Sequence, residues 1–141
     1  MTSSQHLILA CAAMVLLTFA VGLRLLFVRV GEMRANRIHP QSVSTRRQVA
    51  ERLKDTRASD NFAHLFEVPV LFYAFCLAAV ASGHIPSWLP LFAWMFVASR
   101  VIHSLIQCTY NKVMHRFVVF LAGFGLIAGM WIAYAISFLG T

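Results

Sequence analysis

Apolar residues along the chain fall into four long runs, separated by polar connections of very unequal length. A helix that crosses a bilayer needs about 20 mainly apolar residues. Leu7–Leu23 is unbroken apart from Thr18 and Gly22, and Leu25–Val28 prolongs it past Arg24. Phe62–Ala81, Trp88–Cys108 and Phe117–Leu139 are the other three runs. The pattern predicts spans over about 6–30, 61–82, 87–109 and 115–139. Gly31 reads as the end of the first span, and about 31–58 as a long polar loop with Pro40 and a short amphipathic run, Gln48–Lys54. Ser82–Pro86 reads as a tight turn, with Pro86 suited to opening the third helix. The expected fold is all-α, an integral-membrane four-helix bundle making one domain over 1–141.

Composition narrows the solvent. Sixty per cent of residues are hydrophobic and 12% charged, with a mean hydropathy of +0.73. Soluble domains carry about 25% charge. A soluble chain of 141 residues could not bury so much apolar surface, so lipid is the expected surroundings. The first run has no basic segment before it, and its basic flank follows, so it reads as a retained helix rather than a signal peptide. Cys11, Cys76 and Cys108 lie in apolar runs with no CxxC or metal-ligand spacing. They read as small hydrophobes, and no metal site is expected.

Charge then sets orientation. Of the 12 Lys and Arg, eight fall between Arg29 and Arg57, and Lys112 and Arg116 lie in the last connection. The N-terminus, the Ser82–Pro86 turn and the C-terminus have none. The positive-inside rule places both basic loops in the cytoplasm and both termini outside. The protein is therefore expected to be multi-pass, in the inner membrane if bacterial. The net charge of +7 is read as orientation and attraction to anionic lipid, not as nucleic-acid binding.

Ionisable groups at membrane depth are expensive and mark candidate sites. Asn61, His64 and Glu67 share one face of the second span. Arg100, His103, Ser104, Gln107 and Tyr110 form a stripe on the third. Joined by a tight turn, the two helices are antiparallel neighbours. Glu67 and Arg100 then lie equally far from the middle of the turn, as do His64 and His103, so Glu67 is expected to pair with Arg100. Pro69 predicts a kink after Glu67. Gly125, Gly129, Ala133 and Ser137 form a small-residue stripe suited to close helix packing. Trp88, Trp131 and Tyr134 fit an interfacial belt.

With these residues in register, the chain resembles the MAPEG family, membrane-associated proteins in eicosanoid and glutathione metabolism. Glu67-Val-Pro69 resembles the family's Glu-containing second helix. Arg100-Val-Ile-His103 resembles the Arg-x-x-His of the prostaglandin E synthase branch, and Arg116 falls where that branch has its thiol-directed arginine. The resemblance implies a homotrimer with glutathione as co-substrate, bound between subunits in the cytoplasmic half. It implies that Glu67 and His103 help hold the tripeptide, that Arg100 braces Glu67, and that Arg116 acts beside the sulfur. His64, Asn61 and Gln107 complete the candidate binding set. The implied activity is a glutathione-dependent transferase or peroxidase acting on hydrophobic electrophiles. The alternative is a non-catalytic protein of the same fold that binds lipid or a small ligand.

Overall fold

The structure, a computed structural model, describes residues 1–140. Four of its helical segments are long and apolar enough to cross a membrane: Ser3–Ala35, Arg57–Ser82, Leu89–Cys108 and Val113–Leu139. We number the helices α1 (Ser3–Ala35), α2 (Arg46–Arg52), α3 (Arg57–His64), α4 (Val68–Ser82), α5 (Leu89–Cys108) and α6 (Val113–Leu139), with a 3₁₀ turn at Pro40–Val43.

The ends of the helices follow from local chemistry. Thr2 opens α1 with a capping box, its side chain accepting from the Gln5 amide while the Gln5 side chain accepts from the Thr2 amide. Gly31 does not end α1. A helical glycine costs only about 1 kcal/mol, and the helix runs on to Ala35, where Asn36 caps it and Arg37 turns left-handed (φ 53°). The amphipathic run does form a short helix, α2, opened by a Thr45–Gln48 capping box. Nor does Pro86 begin the third span. It stays in the turn after left-handed Gly83, and its carbonyl accepts from Leu89 at the start of α5, where Pro90 occupies the first turn.

The kink expected at Pro69 is a complete break. Proline lacks the N–H that would bond Leu65 and clashes with the preceding turn. The chain answers one turn earlier: Phe66 and Glu67 bond back only three residues, to Ala63 and His64. Glu67 leaves the helical region (φ −99°, ψ −97°) and α4 restarts at Val68. The α3–α4 segment is thus one span made of two helices.

The hairpin register read from the turn holds on both sides of this break. Phe72 stacks on Phe96 with centroids 4.6 Å apart, and His64 meets His103 edge-on at 6.0 Å. The core is built from Leu7 and Met14 of α1, Phe72 and Phe75 of α4, Leu89 and Phe96 of α5, and Ile127 and Met130 of α6, all buried. Tyr134 is not a belt residue. It is buried, with its hydroxyl 2.7 Å from Ser82 Oγ.

Candidate functional site

The polar groups gather in the half of the bundle that carries the basic connections, here called the basic end. Asn61, Arg100, His103, Ser104 and Gln107 are all buried. They sit there because α3 lies across the last two turns of α5. Ser104 Oγ donates to Asn61 Oδ1 at 3.3 Å, and Asn61 Nδ2 donates to Cys108 Sγ at 3.4 Å. Gln107 is fully buried, and among the described residues neither its amide nitrogen nor its oxygen has a hydrogen-bond partner. Each such group costs about 1–3 kcal/mol.

Glu67 and Arg100 do not pair. Among the described residues, Glu67 takes part in one ion pair, to His64 Nδ1 at 2.8 Å. The helix break accounts for this: Leu65 and Val68 take the inward positions, while Phe66 and Glu67 turn outward. Arg100 faces α6 instead. Its Nη2 donates to the carbonyls of Val119 and Phe120 at 3.4 and 3.3 Å, and its guanidinium lies over the rings of Phe96 and Phe120. Its Nε also donates to Ser99 Oγ at 3.4 Å, and these contacts, two of them to aromatic faces, replace the missing carboxylate. Phe120 also flanks both histidines, at 6.5 Å from His64 and 6.1 Å from His103. His64, His103, Arg100 and Phe120 form one cluster, and Glu67 is attached to it through His64.

Glycine placement completes that cluster in a way the small-residue stripe did not suggest. At Gly123 an added Cβ would lie 1.9 Å from Arg100 Nη2, so this glycine makes the space for the guanidinium. Gly125 and Gly129 meet nothing within 4 Å. Rather than packing inside the chain, the stripe lines an open groove with Trp88 and Phe92.

Two arginines outside the expected set close the basic end. The C-terminal carbonyls of α5 form the negative end of its dipole. Arg24 Nη2 donates to Cys108 O, and Arg57 Nη1 donates to Thr109 O at 2.5 Å. Arg57 also grips Asp55 through Nε and Nη2, at 2.9 and 2.8 Å. This holds the Asp55 carboxyl below the usual carboxylate range, against the opposing effect of its partial burial. Arg116 is half-buried at the start of α6, where its Nη1 donates to Asn111 Oδ1 at 2.9 Å. Asn111 is itself left-handed (φ 48°), so this contact pins the α5–α6 turn.

Beside the cluster, α1 and the α3–α4 segment leave a lateral groove of about 430 Å³. Val15, Phe19, Gly22, Phe62, Phe66 and Tyr73 line it. Phe62 and Phe66 flank His64 in sequence, so the groove adjoins the polar cluster. The helical span arrangement, the broken second span and this polar end can be compared with known families. The profile of the MAPEG family matches residues 7–136.

The chain belongs to the MAPEG family. Searches of curated proteins and of solved structures gave no match. Four apolar helices and MAPEG membership make it an integral, multi-pass membrane protein. Within this MAPEG chain, His64, His103, Arg100, Asn61 and Gln107 lie together on α3 and α5, Glu67 joins them through His64, and Arg116, bonded to Asn111 at the turn, is near enough to His103 for their charges to interact. The contacts of Arg24 and Arg57 with the end of α5, and the space at Gly123, had no pairwise signal in the sequence.

Proposed function

We propose that the protein is a membrane-bound glutathione-dependent transferase or peroxidase of the prostaglandin E synthase and microsomal glutathione transferase type, acting on hydrophobic electrophiles. One observation carries this reading beyond family membership. The Glu67 carboxylate and the His64 imidazole bond each other with side chains 58% and 39% exposed on the surface of the single bundle. Glu67 is ten residues, or about 15 Å, into the Arg57–Ser82 span. Hydrocarbon cannot solvate such a pair. A neighbouring subunit and a polar ligand together would cover it.

Glutathione suits the groups on offer. Its ammonium complements Glu67, its carboxylates complement the cations at the basic end, and Gln107 supplies a buried amide without a partner among the described residues. The lateral groove offers the adjoining apolar surface that a hydrophobic electrophile needs. In this reading the basic connections are cytoplasmic, three copies assemble, and Arg116 leaves Asn111 to lie beside the bound sulfur.

The test is calorimetric titration of glutathione into detergent-purified protein, followed by turnover of a chlorinated nitrobenzene. Saturable binding at millimolar concentration or tighter, weakened at least tenfold by Glu67→Gln, supports the reading. Absence of saturable binding would favour the non-catalytic lipid- or small-ligand-binding protein.

A further inference from the structure

The helix break gives His64 a geometry that an unbroken helix would not. Glu67 bonds back to the His64 carbonyl at 3.2 Å, a 3₁₀-type turn. In such a turn side chains three residues apart eclipse each other. Glu67 Oε2 accordingly lies 2.8 Å from His64 Nδ1. An ionised carboxylate only accepts hydrogen bonds, so Nδ1 carries the proton of this contact. That fixes the ring and leaves Nε2 as the nitrogen that can take up or give away a proton. Among the described residues Nε2 has no hydrogen-bond partner. Around the ring stand His103 of α5, edge-on at 6.0 Å, and Phe120 of α6 at 6.5 Å. Phe120 stacks on the exposed ring of Phe124, with centroids 6.1 Å apart. A carboxylate-held imidazole with one open nitrogen thus adjoins a ledge of two aromatic rings.

Resting on the glutathione-dependent reading above, we propose that His64 is the acid that protonates the departing oxygen of a lipid-soluble organic hydroperoxide, with Glu67 as the residue that positions it. The apolar body of the substrate lies along Phe120 and Phe124. In the first step the glutathione thiolate, its proton already released to water, attacks the terminal oxygen of the hydroperoxide. The S–O bond forms and the O–O bond breaks. The electron pair of that bond goes to the departing oxygen, which takes the proton from His64 Nε2 and leaves as the alcohol. The sulfur is now a sulfenic acid, and His64 regains a proton from water. In the second step a second glutathione attacks that sulfur. The S–S bond forms, the S–O bond breaks, and the hydroxyl leaves as water with the proton of the second thiol. Two thiols have lost two electrons in all, and one hydroperoxide has gained them. Oxide Oε1 of the carboxylate remains for the glutathione ammonium.

The leaving group decides whether this acid matters. An alkoxide is strongly basic and departs with a proton, whereas chloride departs from a chlorinated nitrobenzene without one. The ratio of the two turnovers therefore isolates proton donation from binding and from thiolate formation.

The experiment measures that ratio, with cumene hydroperoxide and a chlorinated nitrobenzene, on detergent-purified full-length protein at saturating glutathione. The wild type is expected to turn over both. His64→Gln, which keeps an amide to meet Glu67 but has no acid, should lower the ratio roughly 100-fold. Glu67→Gln leaves His64 in place but loosens its ring, and should lower the ratio about tenfold. A purely structural role would reduce both turnovers in proportion, and an unchanged ratio in either variant would overturn the proposal. So would a wild type that consumes the nitrobenzene but not the hydroperoxide. Calorimetry separates this from the broader reading. A wild type without saturable glutathione binding overturns both, whereas intact binding with an unchanged ratio overturns the role of His64 alone.

Discussion

At Gly123 a single methyl group decides whether Arg100 keeps its place. The guanidinium occupies the volume where a Cβ would stand, and it is tied there by two carbonyls of α6. Gly123→Ala forces it out of those bonds, and overpacking of this kind costs about 1–3 kcal/mol. We expect a lower melting midpoint in detergent for Gly123→Ala. Gly31→Ala, where an added Cβ has open space and no interface is proposed, should not lower it. Arg116 gives a different prediction, resting on the proposed function. A free thiol with a pKa of about 8.5 is only ~3% thiolate at pH 7. A fixed guanidinium that lowered it by about two units would make thiolate the major form for about 2.7 kcal/mol. Arg116→Ala should then cut turnover roughly 25-fold at pH 7, spare most glutathione binding, and shift the rise of the rate-against-pH curve toward the pKa of the free thiol. An unchanged pH profile would leave Arg116 as the residue that pins Asn111.

The helices were legible from hydropathy because each must satisfy its own backbone in lipid and show an apolar surface on nearly every side. Their exact ends were less so. Gly31 and Pro86 carry turn chemistry, but neither is forced to stop or start a helix, and the real ends are made by Asn36, Arg37 and Pro90. The site was legible as a set of polar residues at one end and illegible as a set of pairs. Distance from the turn put Glu67 opposite Arg100, but Pro69 signals a lost hydrogen bond without telling which way the preceding residues turn. The Asp55–Arg57 clamp on α5 was invisible because a carbonyl acceptor has no sequence signature. Its pH dependence has a definite sign. Asp55 is depressed in the folded chain, so its contribution is fully present above the unfolded carboxylate value of about 3.9. It is lost as the pH falls through the lower folded value. We expect proteolytic nicking of the 53–56 connection to be constant from neutral pH down to about 5 and to rise only below about 4. Asp55→Asn should nick faster at neutral pH and converge on the wild type once Asp55 is protonated.

On the scale of the whole molecule, the single bundle is incomplete where it is most polar. The stripe of Gly125, Gly129 and Ala133 and the Glu67–His64 pair both face outward, on different helices. Two such faces on one unit suit a closed ring of copies better than a single pair. We expect native mass spectrometry in mild detergent to show trimers. Glu67→Leu, which removes the charge from the lipid-facing surface, should leave the monomer folded while reducing the trimer fraction. Monomers alone for the wild type would count against a site shared between subunits.

The gap between α3 and α4 can also be read in terms of hydration. Where a helix crosses lipid unbroken, its amides are sealed from solvent. Here Pro69 has no amide to offer Leu65, and Val68, as the first residue of a new helix, has no intrahelical acceptor for its own. Those groups lie beside a charged pair, so water rather than hydrocarbon is their natural partner. We expect the break to form a wetted seam reaching toward the middle of the bilayer. Isotope exchange should find it: the amides of Phe66, Glu67, Val68 and Val70 should take up deuterium well ahead of those at the same depth in α5, which has no such interruption.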